Sequence, residues 1–244
     1  MHQLRVSIFW STILLLLKIS FSSAYAETKP DFKKYVAGPE RKKVFINYVR
    51  PLIDKANVGI KEDREFVLKL LNNIKKSKKR SEIEMKKLSM LVTYYEVKAG
   101  QSVNQQLVDL TEKINIFPDS LILAQASLES AWGTSRFAAE GNNFFGQHCF
   151  SKGCGISARG DKKVEVAKFV SVYDSIQSYY RNLNSGKAYK KLRRLRSEEL
   201  SKLKKMNSLK LTEGLSDYST LSNGDYAKRL NEVITFNKLQ QYDN

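Results

Sequence analysis

Leu121-Ile122-Leu123-Ala124-Gln125-Ala126-Ser127-Leu128-Glu129-Ser130-Ala131-Trp132-Gly133 is the stretch on which the reading of this chain turns. It is apolar on nearly every side, as a helix packed inside a helical domain must be. Phe117-Pro118-Asp119-Ser120 before it punctuates the chain and offers a cap, and Gly133 offers a stop. A helix from about Ser120 to Trp132 is predicted, with Glu129 its single carboxylate. A charge there is costly, so the group is either paired or kept protonated. Glu129 lies in the last turn, where the negative end of the helix dipole disfavours a carboxylate, and Trp132 at i+3 offers an apolar wall. A carboxyl held neutral near pH 7 can protonate a departing oxygen, as in a glycosidase. The plainer alternative is a structural Glu paired with a cation such as Arg136.

Upstream, the chain from Arg41 to about Lys98 is helical in pattern. Val44, Tyr48, Val49 and Leu52 recur at three- and four-residue spacing, as do Phe66, Leu70, Leu71 and Ile74. The basic run Lys75-Lys76-Ser77-Lys78-Lys79-Arg80 separates two of these helices, either as a solvated turn or as a contact with an anionic surface. Ser102 to Asn115 reads as an amphipathic helix with Val103, Leu107, Leu110 and Ile114 on one face. Downstream, Asn142 to Lys163 is too rich in Gly, Asn and Ser for helix. Val164 to Val170 alternates and is β-branched, which predicts a strand in a small hairpin. Helical periodicity resumes at Ser175 and continues through Tyr226 to Leu239. The expected class is mainly α (α+β), a helical lobe with a small β-hairpin lobe.

The amino terminus reads differently. His2 and Arg5, the run from Ile8 to Leu17 and Ser23-Ala24-Tyr25-Ala26 have the charge, apolar centre and small-residue site of a secretory signal peptide over 1–26. Residues 27–40, with Pro30 and Pro39, read as an extended leader, followed by a helical N-terminal subdomain (41–100) and a second domain (101–240). An uncleaved anchor is the alternative, but Lys18 interrupts the run, which is shorter than the ~18–20 residues a spanning helix needs. The net charge of +17 favours polyanionic partners. With export, these are an anionic wall or membrane surface met through the basic helices, rather than nucleic acid. The periplasm is the expected compartment, with secretion as alternative.

Two cysteines, Cys149 and Cys154, and one histidine beyond the signal segment, His148, exclude a structural zinc site of four cysteines, or of two cysteines and two histidines, in one chain. A Ser-His-Asp triad would have to use His148, and no nucleophile elbow is present. In an exported protein Cys149 and Cys154 read as a disulfide closing a small loop, with a free reactive cysteine beside His148 as the alternative. No metal and no cofactor are expected, and a monomer is.

Ala124 to Gly133, followed by Asn142-Asn143-Phe144-Phe145-Gly146, resembles the N-acetylglucosaminidase domain of glycoside hydrolase family 73, the group of flagellar rod-cap peptidoglycan hydrolases. Within it the chain is most similar to the bacterial Bax-type branch. Gly146 to Phe150 with Gly153-Cys154-Gly155, Glu165-Val166 with Phe169, and Tyr180 to Asn184 with Ala188-Tyr189 carry that similarity. It covers about Arg41 to Leu239. The resemblance implies a lysozyme-like helical lobe with a small β lobe, hydrolysing β-1,4 bonds next to N-acetylglucosamine in the glycan strands of peptidoglycan. It places the catalytic acid on Glu129, and a second carboxylate on Glu165, with Asp161 as runner-up. The active-site tyrosine falls on Tyr218. Trp132, Asn143, Phe145 and Tyr226 are expected to contact substrate. Glu165 would activate water in an inverting route; otherwise the 2-acetamido group of the sugar would act as internal nucleophile. A lytic transglycosylase and a non-catalytic basic wall-binding scaffold are the competing readings.

Overall fold

The computed structural model describes residues 28–75, 79–149, 151, 153–158, 161–215 and 225–243, without the side chains of 75, 158 and 161–164. The expected signal segment, the centre of the basic run and Tyr218 lie outside the described residues. Helix α1 (Pro39–Lys75) is followed by α2 (Glu82–Tyr94), α3 (Val103–Lys113), α4 (Asp119–Glu129) and α5 (Arg136–Gly141). A three-stranded sheet comes next, β1 (His148–Cys149), β2 (Gly155–Ala158) and β3 (Asp161–Ala167). The chain closes with α6 (Val172–Ser185), α7 (Lys190–Leu203), α8 (Ser208–Leu211) and α9 (Asp225–Phe236). The protein is thus mainly helical with one small sheet.

Local chemistry explains the boundaries. Ser81 and Glu84 form a reciprocal capping box on α2, and Ser171 with Asp174 does the same on α6. The Ser102 hydroxyl accepts from the Gln105 amide at the start of α3. The sheet is antiparallel in the order β1-β3-β2, with His148 opposite Val166 and Ser157 opposite Glu165. Cys149 and Cys154 are joined in a disulfide across the β1–β2 connection.

One hydrophobic cluster unites what the sequence divides at residue 100. Phe45, Val49, Ile53, Ala56, Ile60 and Val67 form a buried stripe down α1, and they share a core with Leu107, Leu121, Ile176 and Leu230. α1 packs on α3, α6 and α4. Among the described residues, α1 thus shares one core with the rest of the chain and forms one wall of the chamber that holds α4. The leader is also tied in. Phe32, in the 3-10 turn Phe32–Lys34, is buried against Phe45, Tyr48 and Phe144, with ring centroids 5.6–6.0 Å apart. The Lys29 ammonium donates to the Ala138 and Ala139 carbonyls and to Asn142 Oδ1 at the end of α5.

Two helix ends are satisfied from a distance. α4 has no side-chain cap of its own at Pro118. Instead the Asp243 carboxylate accepts from the Ser120 amide at 2.8 Å and from its hydroxyl at 2.7 Å. At the end of α3 the Arg196 guanidinium, 1% exposed, donates to the carbonyls of Glu112, Lys113 and Asn115 and to Asn184 Oδ1. It lies over the Phe117 ring. A buried cation with no carboxylate is tolerable here because helix C-terminal carbonyls carry negative partial charge. Arg196→Leu removes the donor and leaves those oxygens buried. Thermal unfolding should show a loss of about 3 kcal/mol, with the far-ultraviolet circular dichroism at low temperature unchanged.

Candidate active site

Helix α4 buries every residue from Asp119 to Ser127. Its last side chain, Glu129, is half-buried where the helix ends. The ending is abrupt: Ala131, Trp132 and Gly133 all take positive φ, at 50°, 56° and 81°. The Trp132 amide donates back to the Ser127 carbonyl, and the Ser130 hydroxyl accepts from the Gly133 amide. Two non-glycine residues in the left-handed region cost on the order of 1–2 kcal/mol each, a strain typical of functional sites. Gly133 has a second reason to lack a side chain, since a Cβ there would lie 2.3 Å from the Phe32 ring.

Opposite Glu129 stands the loop after α5. Asn143 is buried; its Nδ2 donates to the carbonyls of Gln147 and Ala167, and its Oδ1 accepts from the amides of Phe145 and Gln147. Gln147 in turn donates to the Ser175 carbonyl and accepts from Ser178 and Asn182 on α6. Phe144 stacks on Phe45, and Phe145, 0% exposed, stacks on Tyr179 at 4.1 Å. The loop thus presses Gly146, at φ 62°, against the acid: a Cβ on Gly146 would lie 3.5 Å from Glu129 Oε2. Asn143 and Phe145, expected to contact substrate, are buried here. Both point inward, because the loop needs a polar clasp and two apolar anchors to hold its shape.

Tyr226, 2% exposed on α9, brings its hydroxyl beside the Glu129 carboxyl. Burial raises the Glu129 pKa above its ordinary value, and the Tyr226 hydroxyl partly offsets this by favouring the ionised form. Neither cause is a second carboxylate or a cation. Arg136, the alternative partner, instead donates to the Ser157 carbonyl in the β lobe. The opposite end of α4 carries another raised carboxyl. Asp119 is pushed up to about 6, chiefly by burial, while Asn57 Nδ2 donates to it at 2.8 Å. It sits about 15 Å along the helix from Glu129 and is only 4% exposed, so it belongs to the core.

The other expected site residues fall as follows. Glu165 accepts from the amides of Gly153 at 3.1 Å and Gly155 at 3.0 Å, one with each oxygen, so it holds the disulfide loop. Asp161 opens β3, but its side chain is outside the description. Trp132 is half-buried, with Phe45 edge-on at 5.4 Å and the Lys42 ammonium over its ring at 5.1 Å, so a cation covers its face. Tyr226, expected to meet substrate, lies beside Glu129. Its spacing of 97 residues from Glu129 carries no sequence signal for that pairing.

A carboxyl kept toward its acid form by burial, beside a phenol, is suited to donate a proton, as the acid of a glycoside hydrolase does. The family model described as mannosyl-glycoprotein endo-β-N-acetylglucosaminidase, the glucosaminidase domain, matches residues 104–239. The chain is 31% identical over 202 residues to Protein bax of Escherichia coli (strain K12), covering 82% of this chain and 72% of that protein. It is 27% identical over 143 residues to exo-glucosaminidase LytG of Bacillus subtilis (strain 168), covering 55% of this chain and 49% of that one. The catalytic domain of the autolysin Auto of Listeria monocytogenes aligns at 25% identity and a TM-score of 0.41, over 68% of this chain and 99% of that domain. The chain belongs to the glucosaminidase family.

Two measurements probe the site. Tyr226→Phe removes a donor that favours the ionised carboxyl, so the Glu129 pKa should rise further. The alkaline limb of the pH–rate profile should then move to higher pH. Gly133→Ala combines an unfavourable φ with a clash against Phe32. It should lower stability by roughly 2 kcal/mol or more in denaturant unfolding, and lower activity as the end of α4 shifts.

Proposed function

We propose that the enzyme hydrolyses β-1,4 glycosidic bonds beside N-acetylglucosamine in peptidoglycan glycan strands, with Glu129 as general acid. The observation that carries this is the placement of Glu129. It is the one carboxyl of α4 that is not buried, half-exposed at the helix end, and the Tyr226 hydroxyl beside it can hold either protonation state. Glu129 gives its proton to the departing oxygen as the bond to the anomeric carbon breaks. Tyr226 then steadies the carboxylate that forms.

For the other half of the reaction, both Glu165 oxygens are engaged by backbone amides, which favours the substrate-assisted route over Glu165 as base. The 2-acetamido oxygen of the sugar attacks the anomeric carbon as the leaving group takes the Glu129 proton. Water then opens the resulting ring, returning a proton to Glu129, and the product retains its anomeric configuration. The family description supports cleavage within the strand. The signal sequence over 1–26 and the disulfide Cys149–Cys154 support a site of action outside the cytoplasmic membrane, in the periplasm. The excess of basic residues supports attraction to the anionic wall.

Glu129→Gln should lower wall digestion by at least about a hundredfold while leaving stability at pH 7 unchanged or improved, because the buried charge is gone. Digestion that survives the substitution overturns the assignment. Mass spectrometry of the products should show reducing ends; 1,6-anhydro ends would make the protein a lytic transglycosylase instead.

A further inference from the structure

A groove of about 1080 Å³ takes no part in the chemistry above. Leu128 and Trp132, which bracket Glu129 in the chain, both line it. The outer face of α9 forms its length, through Lys228, Arg229, Val233 and Phe236, and Lys42 from α1 reaches in. The same helix therefore turns Tyr226 inward to the acid and these side chains outward to the groove.

We propose that this groove binds the short carboxylate-bearing stem peptide attached to the glycan strand, an inference that rests on the glycan reading of Glu129. Three features support it. The first is charge. Lys42, Lys228 and Arg229 face one carboxylate, Glu232, and none of the three is ion-paired among the described residues. A neutral sugar has no use for such an excess, whereas a peptide rich in carboxylates does. The second is preorganisation. The Lys42 ammonium lies 5.1 Å from the Trp132 ring and 4.8 Å from the Phe236 ring, and donates to Asn237 Oδ1 at 2.8 Å. One of its three donors is used, and the ordering of a flexible side chain has already been met in the free enzyme. The third is shape. Phe236, which lines the groove, is 81% exposed, an apolar surface open to the aliphatic part of a peptide. From Tyr226 to Phe236 is about 15 Å of helix, which an extended peptide of four or five residues spans.

The experiment measures binding rather than cleavage, so that it is independent of the assigned chemistry. A synthetic acidic stem tetrapeptide, free of sugar, is titrated into the Glu129→Gln protein by calorimetry, alongside the same peptide with its carboxylates amidated. The acidic peptide should bind and the amidated one should bind at least about tenfold more weakly. Lys42→Gln combined with Arg229→Gln should weaken the acidic peptide by a similar factor, whereas Lys42→Arg, which keeps the charge between the two rings, should retain it. Thermal unfolding checks that each variant is folded. Equal binding of both peptides, no binding of the acidic peptide, or binding indifferent to the double substitution overturns the proposal. Loss of the Glu129 assignment with peptide binding intact would leave the groove standing and remove only the reaction beside it.

Discussion

A helix that buries nine of its eleven residues leaves its final side chain one way out, and in this protein that exit is the candidate active site. The burial of α4 sets almost everything else. Apolar walls on all sides require α1 on one flank and α8 and α9 on others, so the long first helix belongs to the lobe that holds Glu129. The same burial raises the pKa of Glu129, and with it the fraction of enzyme able to donate a proton. The energy that holds the helix and the chemistry at its end have one origin.

The two carboxyls of α4 show how position separates structure from function. Both are raised by desolvation. Asp119 is enclosed, bonded by Asn57 and crowded by Asp54 and Asp243, and it has no route to substrate. Glu129 opens beside Gly146, a residue whose missing side chain leaves space next to the carboxyl. A perturbed pKa marks both, and only access distinguishes them.

The residues around Gly146 act on the acid without facing a ligand. Asn143, Phe144, Phe145 and Gln147 use clasping hydrogen bonds and stacked rings to hold one glycine in place. Phe32 plays a comparable part behind Gly133, and Lys29 ties the same segment to the end of α5. The segment that reads as a polar leader thus supports the turn on which Trp132 sits. Its one large apolar residue among lysines is too weak a pattern to announce a core contact.

The sequence by itself determined the elements and pointed to one candidate acid. Periodicity places the helices within a few residues, alternation finds β3, and the lone carboxylate of an apolar helix singles out Glu129, because each of these is a local pattern of burial. The tertiary structure alone decided what reaches that carboxyl and what does not. Tyr226 arrives from 97 residues away, Asp243 caps α4 from 123 residues beyond Ser120, and Arg196 closes α3 across more than eighty. Phe145 and Asn143 turn inward, and Glu165 turns to the disulfide loop. Such pairings depend on how helices pack against one another, and hydrogen bonds formed across a core leave no periodic trace along the chain.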